Sequence, residues 1–140
     1  MPKPPLPEEL SELLAKPNPS VITTVRPDGQ PVSVATWYLW DNGGVLVNMD
    51  EGRKRLDYMR HEPRVTITVF DSADGRTHVS MQGRIIELRD DPQLVDIDRL
   101  ARHYTGEQYP NRQRNRISAW IAIDRWHGWG TAENTNVVHH

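Results

Sequence analysis

Short β-branched runs separated by Gly- and Pro-bearing turns dominate the chain. The first run, 20–25, is Ser-Val-Ile-Thr-Thr-Val and reads as a strand. Pro27-Asp28-Gly29 then supplies a fixed φ and a residue that accepts positive φ, so the next run, 31–40, is predicted to fold back on the first as a hairpin. After Asp41-Asn42-Gly43-Gly44 a third strand is predicted at 45–49, a fourth at 64–70, a fifth at 77–88 and a sixth at 116–123. Gly83, inside the fifth, is expected to mark a bulge or a close backbone approach.

Helical spacing is scarcer. Leu6, Leu10, Leu13 and Leu14 recur at helical intervals, which predicts a short helix at about 7–15, broken by Pro17-Asn18-Pro19. A second helix is predicted at about 53–61, closed by Pro63, and a third from Asp90-Asp91-Pro92 to about Tyr104, with Val95, Leu100 and Tyr104 on its buried side. Six strands joined mostly by hairpins, with few helices, predict a mainly β fold, a small six-stranded antiparallel barrel. A single open sheet would leave edges to protect. The organisation expected is an extended arm at 1–6, one domain at 7–130 and a polar tail at 131–140, in which His139-His140 reads as the stub of a purification tag.

One charged segment stands out against this pattern. Arg53-Lys54-Arg55 falls at the start of the second predicted helix, where cations oppose the helix dipole. An anion explains them: first-turn N–H groups flanked by Arg53 and Arg55 form a phosphate site. A solvated helix face balanced by Asp50, Glu51, Asp57 and Glu62 explains them about as well from spacing alone.

Composition narrows the choices. The 140 residues are 36% apolar and 26% charged, which suits one globular domain. A net charge of −2 argues against a nucleic-acid binder built on bulk electrostatics. With no cysteine, disulfides, thiolate catalysis and Cys-ligated metals are excluded. His61, His78, His103 and His127 match no compact zinc spacing, so no metal is expected. No run reaches membrane length and no signal-peptide pattern opens the chain, so a cytoplasmic location is the expectation. Five Trp against one Phe supply large flat faces suited to interfaces and planar ligands.

The order of these segments resembles a known family. A Pro-Asp-Gly turn, a Pro-led strand ending Thr36-Trp37-Tyr38, then Gly52-Arg53-Lys54-Arg55 and His61-Glu62-Pro63-Arg64-Val65 resemble the pyridoxamine 5'-phosphate oxidase-like split β-barrel family. Leu100-Ala101-Arg102-His103-Tyr104-Thr105-Gly106 and Trp126-His127-Gly128-Trp129 resemble its actinobacterial flavin/deazaflavin oxidoreductase branch, which uses coenzyme F420. FMN, F420 and haem binders share the scaffold.

The resemblance implies a homodimer with two cofactors in grooves between subunits, and hydride transfer from reduced F420 to an electron-poor organic acceptor. It implies cofactor-phosphate contacts at Arg53 and Arg55 with Lys54 nearby, and a ring lying along Ser33, Val34, Ala35, Thr36 and Trp37. Trp126 and Trp129 are expected either to anchor a dimer-packing tail or to wall the partner's ring pocket. Strand alternation is expected to put Thr36 and Tyr38 on one face and Trp37 on the other, with Trp37 and Tyr38 in core or interface. His78 stands where an apolar or aromatic residue is expected and is a proton-donor candidate. The basic loop Arg112, Arg114 and Arg116 is read as solvated, with the oligoglutamate tail of F420 as the alternative partner. The alternatives to the F420 reductase are an FMN-dependent member of the family, a non-catalytic carrier of F420, flavin or haem, and a structural dimer with a vestigial groove.

Overall fold

The structure, a computed structural model, describes residues 1–130; the predicted tail at 131–140, with His139 and His140, lies outside the described residues. Among the described residues, three helices, α1 (Glu8–Leu14), α2 (Lys54–His61) and α3 (Val95–Thr105), accompany seven strands. The strands are β1 (Ser20–Val25), β2 (Pro31–Thr36), β3 (Leu39–Asp41), β4 (Gly44–Asp50), β5 (Arg64–Phe70), β6 (His78–Asp90) and β7 (Arg116–Trp129). Every pairing is antiparallel, in the order β2-β1-β5-β6-β7-β4-β3.

The predicted strand at 31–40 is two strands, which makes seven rather than six. Its halves sit at opposite edges of one sheet, with only Trp37 and Tyr38 between them. Two residues bridge no more than about 11 Å. The sheet therefore rolls until its edges nearly meet, yet β2 and β3 do not pair, so the expected barrel stays open along one seam. Tyr38 fixes the turn between them. Its ring is fully buried and its hydroxyl lies 2.8 Å from Leu14 O and 3.1 Å from Lys16 O, just past α1. Burial, with Tyr104 nearby, pushes the Tyr38 phenol far above its ordinary pKa, so it remains a neutral donor.

The inner faces of β1, β4, β5, β6 and β7 send Ile22, Val47, Met49, Ile67, Met81 and Ile121 into one core. Leu10, Leu13 and Leu14 of α1 and Leu56 and Met59 of α2 close it. Gly83 lies at a register shift in the β6–β7 ladder, and a Cβ there would collide with the Ala122 carbonyl oxygen. The arm reaches the far end of β7: Trp126 donates its backbone N–H to Pro2 O at 3.1 Å and its indole N–H to Lys3 O at 3.3 Å.

Two boundaries differ from expectation. Strand β7 runs on to Trp129 because β6 still pairs with it beyond Ile123. Helix α3 starts at Val95 because β6 extends to Asp90 and Asp91 caps the helix from outside, accepting from the N–H groups of Asp96 and Ile97. Rotated accordingly, Val95 is 58% exposed instead of buried, and Ile97, Leu100 and Ala101 face inward.

Gly83→Ala is expected to cost about 2–3 kcal/mol, because backbone rather than a flexible side chain must move; urea unfolding measures it. A second expectation concerns the turn before β6. Asp74 accepts hydrogen bonds from the Thr77 hydroxyl and from the N–H groups of Arg76 and Thr77, which hold its carboxyl down at about 2. A depressed folded-state pKa contributes stability above the ordinary Asp range and loses it on acidification. The melting-temperature gap between the natural chain and Asp74→Ala should therefore be present at neutral pH and close as pH falls toward about 2.

Candidate functional site

The open seam of the barrel is where a ligand can enter, and the side chains gathered there fall into two adjoining compartments. The first, of about 600 Å3, is walled by Pro17, Pro19, Trp37, Ile97, Leu100, Tyr104 and Tyr109. Trp37 stacks on Tyr104 with centroids 5.3 Å apart and meets Tyr109 edge-on at 6.3 Å. Tyr104 donates to Asn18 O at 2.7 Å, and burial pushes its phenol up to about 12. It is a fixed neutral wall, not an acid at working pH. The second compartment, of about 540 Å3, is lined by Val32, Val34, Met49, Asp50, Arg53, Lys54 and Tyr58. Ala35, Arg55, Tyr109 and Arg116 line both, so the two form one groove, apolar and aromatic at one end and cationic at the other.

Helix α2 builds the cationic end. Arg53 is its N-cap residue, in extended conformation; the Leu56 N–H bonds the Arg53 carbonyl at 3.1 Å, and no side chain caps the first turn. Arg55, in the first turn, lines the groove. Its Nε is buried without a hydrogen-bond partner. Burial foremost, then the charges of Arg53 and Arg116, lower its pKa, while Asp50 opposes them. A buried guanidinium N–H without an acceptor is costly, and an anion bound here would supply the acceptor. Asp50 itself is taken up by Arg116 at 2.6 Å, Arg114 at 3.4 Å and Arg53 at 3.9 Å. Among the described residues, no carboxylate forms an ion pair with Lys54 or Arg55.

Some expected site residues come together here and others do not. Val34, Ala35, Thr36, Trp37, Arg53, Lys54 and Arg55 line the groove. Thr36 and Trp37 share a compartment, contrary to the alternation expected of one continuous strand, because the strand ends between them. Ser33 faces the other side of β2, where its hydroxyl bonds Thr23 at 2.7 Å. Trp126 is 3% exposed and belongs to the core. Trp129, 38% exposed, pairs with His78 on the outer β6–β7 ladder, and neither lines either compartment. His78 Nδ1 lies 2.8 Å from Arg76 O. Of the basic loop, Arg112 is bound to Asp98 at 2.6 Å, whereas Arg116 is a buried groove residue that packs over the Tyr109 ring at 4.6 Å.

Asn48, Asp50, Tyr109 and Arg116 are the groove residues that spacing does not reveal. They come from β4, β7 and the loop before β7, far apart in the chain. Among the described residues, no histidine lines the groove and its one carboxylate, Asp50, is held by arginines. The residues offer a planar seat beside an anion seat.

Comparison with solved structures shows the same fold in diverse proteins. An F420 reductase is 23% identical with a TM-score of 0.78, over 86% of this chain and 98% of that one. A conserved hypothetical protein from Mycobacterium tuberculosis is 21% identical with a TM-score of 0.71, over 99% and 92%. General Stress Protein 26 from Bacillus anthracis is 16% identical with a TM-score of 0.68, over 86% and 91%. No curated protein matches the chain in sequence. A rolled β sheet with a ring-and-anion groove at its seam is the class of fold that holds flavin-type cofactors. Within that class, the chain belongs to the pyridoxamine 5'-phosphate oxidase family, whose sequence profile matches residues 6–130.

Opposite effects on binding and stability are expected at Arg55. Arg55→Met should weaken anion binding about tenfold or more. It should leave the ligand-free melting temperature unchanged or raised, since it removes a buried cation facing Arg53 and Arg116. Calorimetric titration with inorganic phosphate, paired with thermal denaturation, measures both.

Proposed function

We propose that this protein is a cytoplasmic F420-dependent oxidoreductase that delivers a hydride from the reduced deazaflavin to an electron-poor organic acceptor such as a quinone or an enone. The observation that carries the reading is the direct adjacency of a stacked aromatic compartment and a cationic one with the orphaned Nε of Arg55 between them. That pairing fits a ligand made of a flat ring and a phosphate. Family membership and the fold shared with an F420 reductase support the choice of coenzyme.

The chain's own residues bind, orient and exclude water. Arg53, Lys54 and Arg55 would hold the phosphate. Strand β2, from Val34 to Thr36, would run beside the ring, with its backbone as the source of hydrogen bonds to ring carbonyls. When bound, the reduced coenzyme supplies the hydride. Trp37, Tyr104 and Tyr109 give the flat apolar wall against which a planar acceptor is oriented. A homodimer, with Trp129 of each subunit at the end of β7 reaching the other's groove, is part of the proposal.

The experiment is binding of F420 and FMN, separately, to the purified protein by tryptophan fluorescence, followed by oxidation of reduced F420 with quinone, enone and nitro acceptors. Tighter binding of F420 than FMN, with turnover, is expected. Preference for FMN moves the protein to the flavin enzymes, F420 binding without turnover makes it a carrier, and binding of neither overturns the reading.

A further inference from the structure

Behind the groove lies a chain of buried polar groups that the proposed chemistry does not use. Asn48 is 5% exposed, and its amide is satisfied on both sides. Its Oδ1 accepts from Arg116 Nε at 2.7 Å; its Nδ2 donates to Asp91 Oδ2 at 3.2 Å and to Ser118 Oγ at 3.0 Å. Only this orientation works, because a guanidinium has no acceptor and a carboxylate no donor. Asp91 in turn takes the N–H groups of Asp96 and Ile97 at the start of α3, and Ser118 donates to Asp96 at 2.6 Å. The network thus runs from the N-terminus of the helix that walls the aromatic compartment to the arginine shared by both compartments.

We propose that Asn48 is a positioning residue: anchored on Asp91 at the α3 N-terminus, it holds the Arg116 guanidinium in the groove, where that cation serves an anionic ligand. Arg116 has two fixed partners, Asn48 through Nε and Asp50 through a terminal nitrogen at 2.6 Å, and its plane rests on Tyr109. With the Asn48 acceptor gone, Arg116 keeps Asp50 as its one hydrogen-bond partner and pivots about it over the Tyr109 ring, so its charge is drawn onto the carboxylate. The inference rests on the reading of the cationic compartment as an anion seat, and not on which ring the aromatic compartment takes.

The test is a double-mutant cycle on the full chain, read with inorganic pyrophosphate by calorimetric titration. Asn48→Ala and Arg116→Gln should each weaken binding about tenfold. The double variant should be no weaker than the worse single, since both remove the same cation from the ligand. The salt dependence of binding should become shallower by the same amount in each; a general loosening of the fold would leave it unchanged. Losses that multiply to about a hundredfold, an Asn48→Ala protein with natural affinity, or a natural chain that does not bind pyrophosphate each overturn the proposal. If Asn48→Ala does not fold, Asp91→Ala decides. On charge alone, losing a carboxylate near the groove strengthens anion binding, whereas the loss of Asn48's anchor weakens it several-fold; strengthening overturns the proposal. F420 binding separates this inference from the coenzyme reading. A coupled cycle in a protein that ignores F420 removes only the coenzyme, and F420 turnover with an uncoupled cycle removes only the role of Asn48.

Discussion

Two residues join the two edges of the sheet, and most of the structure follows from that limit. Trp37 and Tyr38 are all that separates β2 from β3, so strands at opposite ends of the order must come within their reach. The two side chains then go opposite ways. Tyr38 is drawn into the core under α1, and Trp37 is left on the seam, packed with Leu94, Ile97 and Leu100 of the α3 region. The seam is held open by what lies in it, and the groove is the space left over.

Electrostatics give the groove its second character. Bulk charge is slightly negative, yet Arg53, Arg114 and Arg116 converge on one carboxylate, Asp50, beside the groove cations Lys54 and Arg55. Asp50 offsets part of that charge and is itself buried. The aromatic end has the reverse composition: the Trp37 indole, the Tyr109 ring and the Tyr104 phenol, whose hydroxyl is committed to the Asn18 carbonyl. A ligand that satisfies both ends must be flat and uncharged in one part and anionic in another.

Much of this was legible in the sequence where the signal is local. Strands 20–25 and 64–70 are read to the residue because alternation and flanking Pro or Gly bound them on both sides. Arg53-Lys54-Arg55 stood out because charges at a helix start have an electrostatic meaning. The break at Trp37 was hidden inside an uninterrupted apolar run, Trp37 to Trp40, that a strand would also show. The end of β7 was hidden by Asp124, Arg125 and two glycines that resemble a turn. Arg116 looked like a member of a solvated loop, and Asn48 like an ordinary strand residue, because their meaning depends on the pairing of β4 with β7, which no short window contains. Trp126 and His78 sit in a suggestive sequence context but are spent on the core and the outer ladder.

The place of β7 in the order has a consequence for how the chain comes to be folded. The last strand is not an edge: it lies between β6 and β4 and takes its longest ladder from both. Until residues from Arg116 onward are available, β2-β1-β5-β6 and β4-β3 are two half-sheets with no strand between them, each presenting a bare edge. Insertion of β7 joins the halves, brings Arg116 beside Asp50 and Asn48, and meets the N-terminal arm at Trp126. Assembly is therefore a non-local event, and a nascent chain emerging from the ribosome would depend on protection of those edges until β7 arrives.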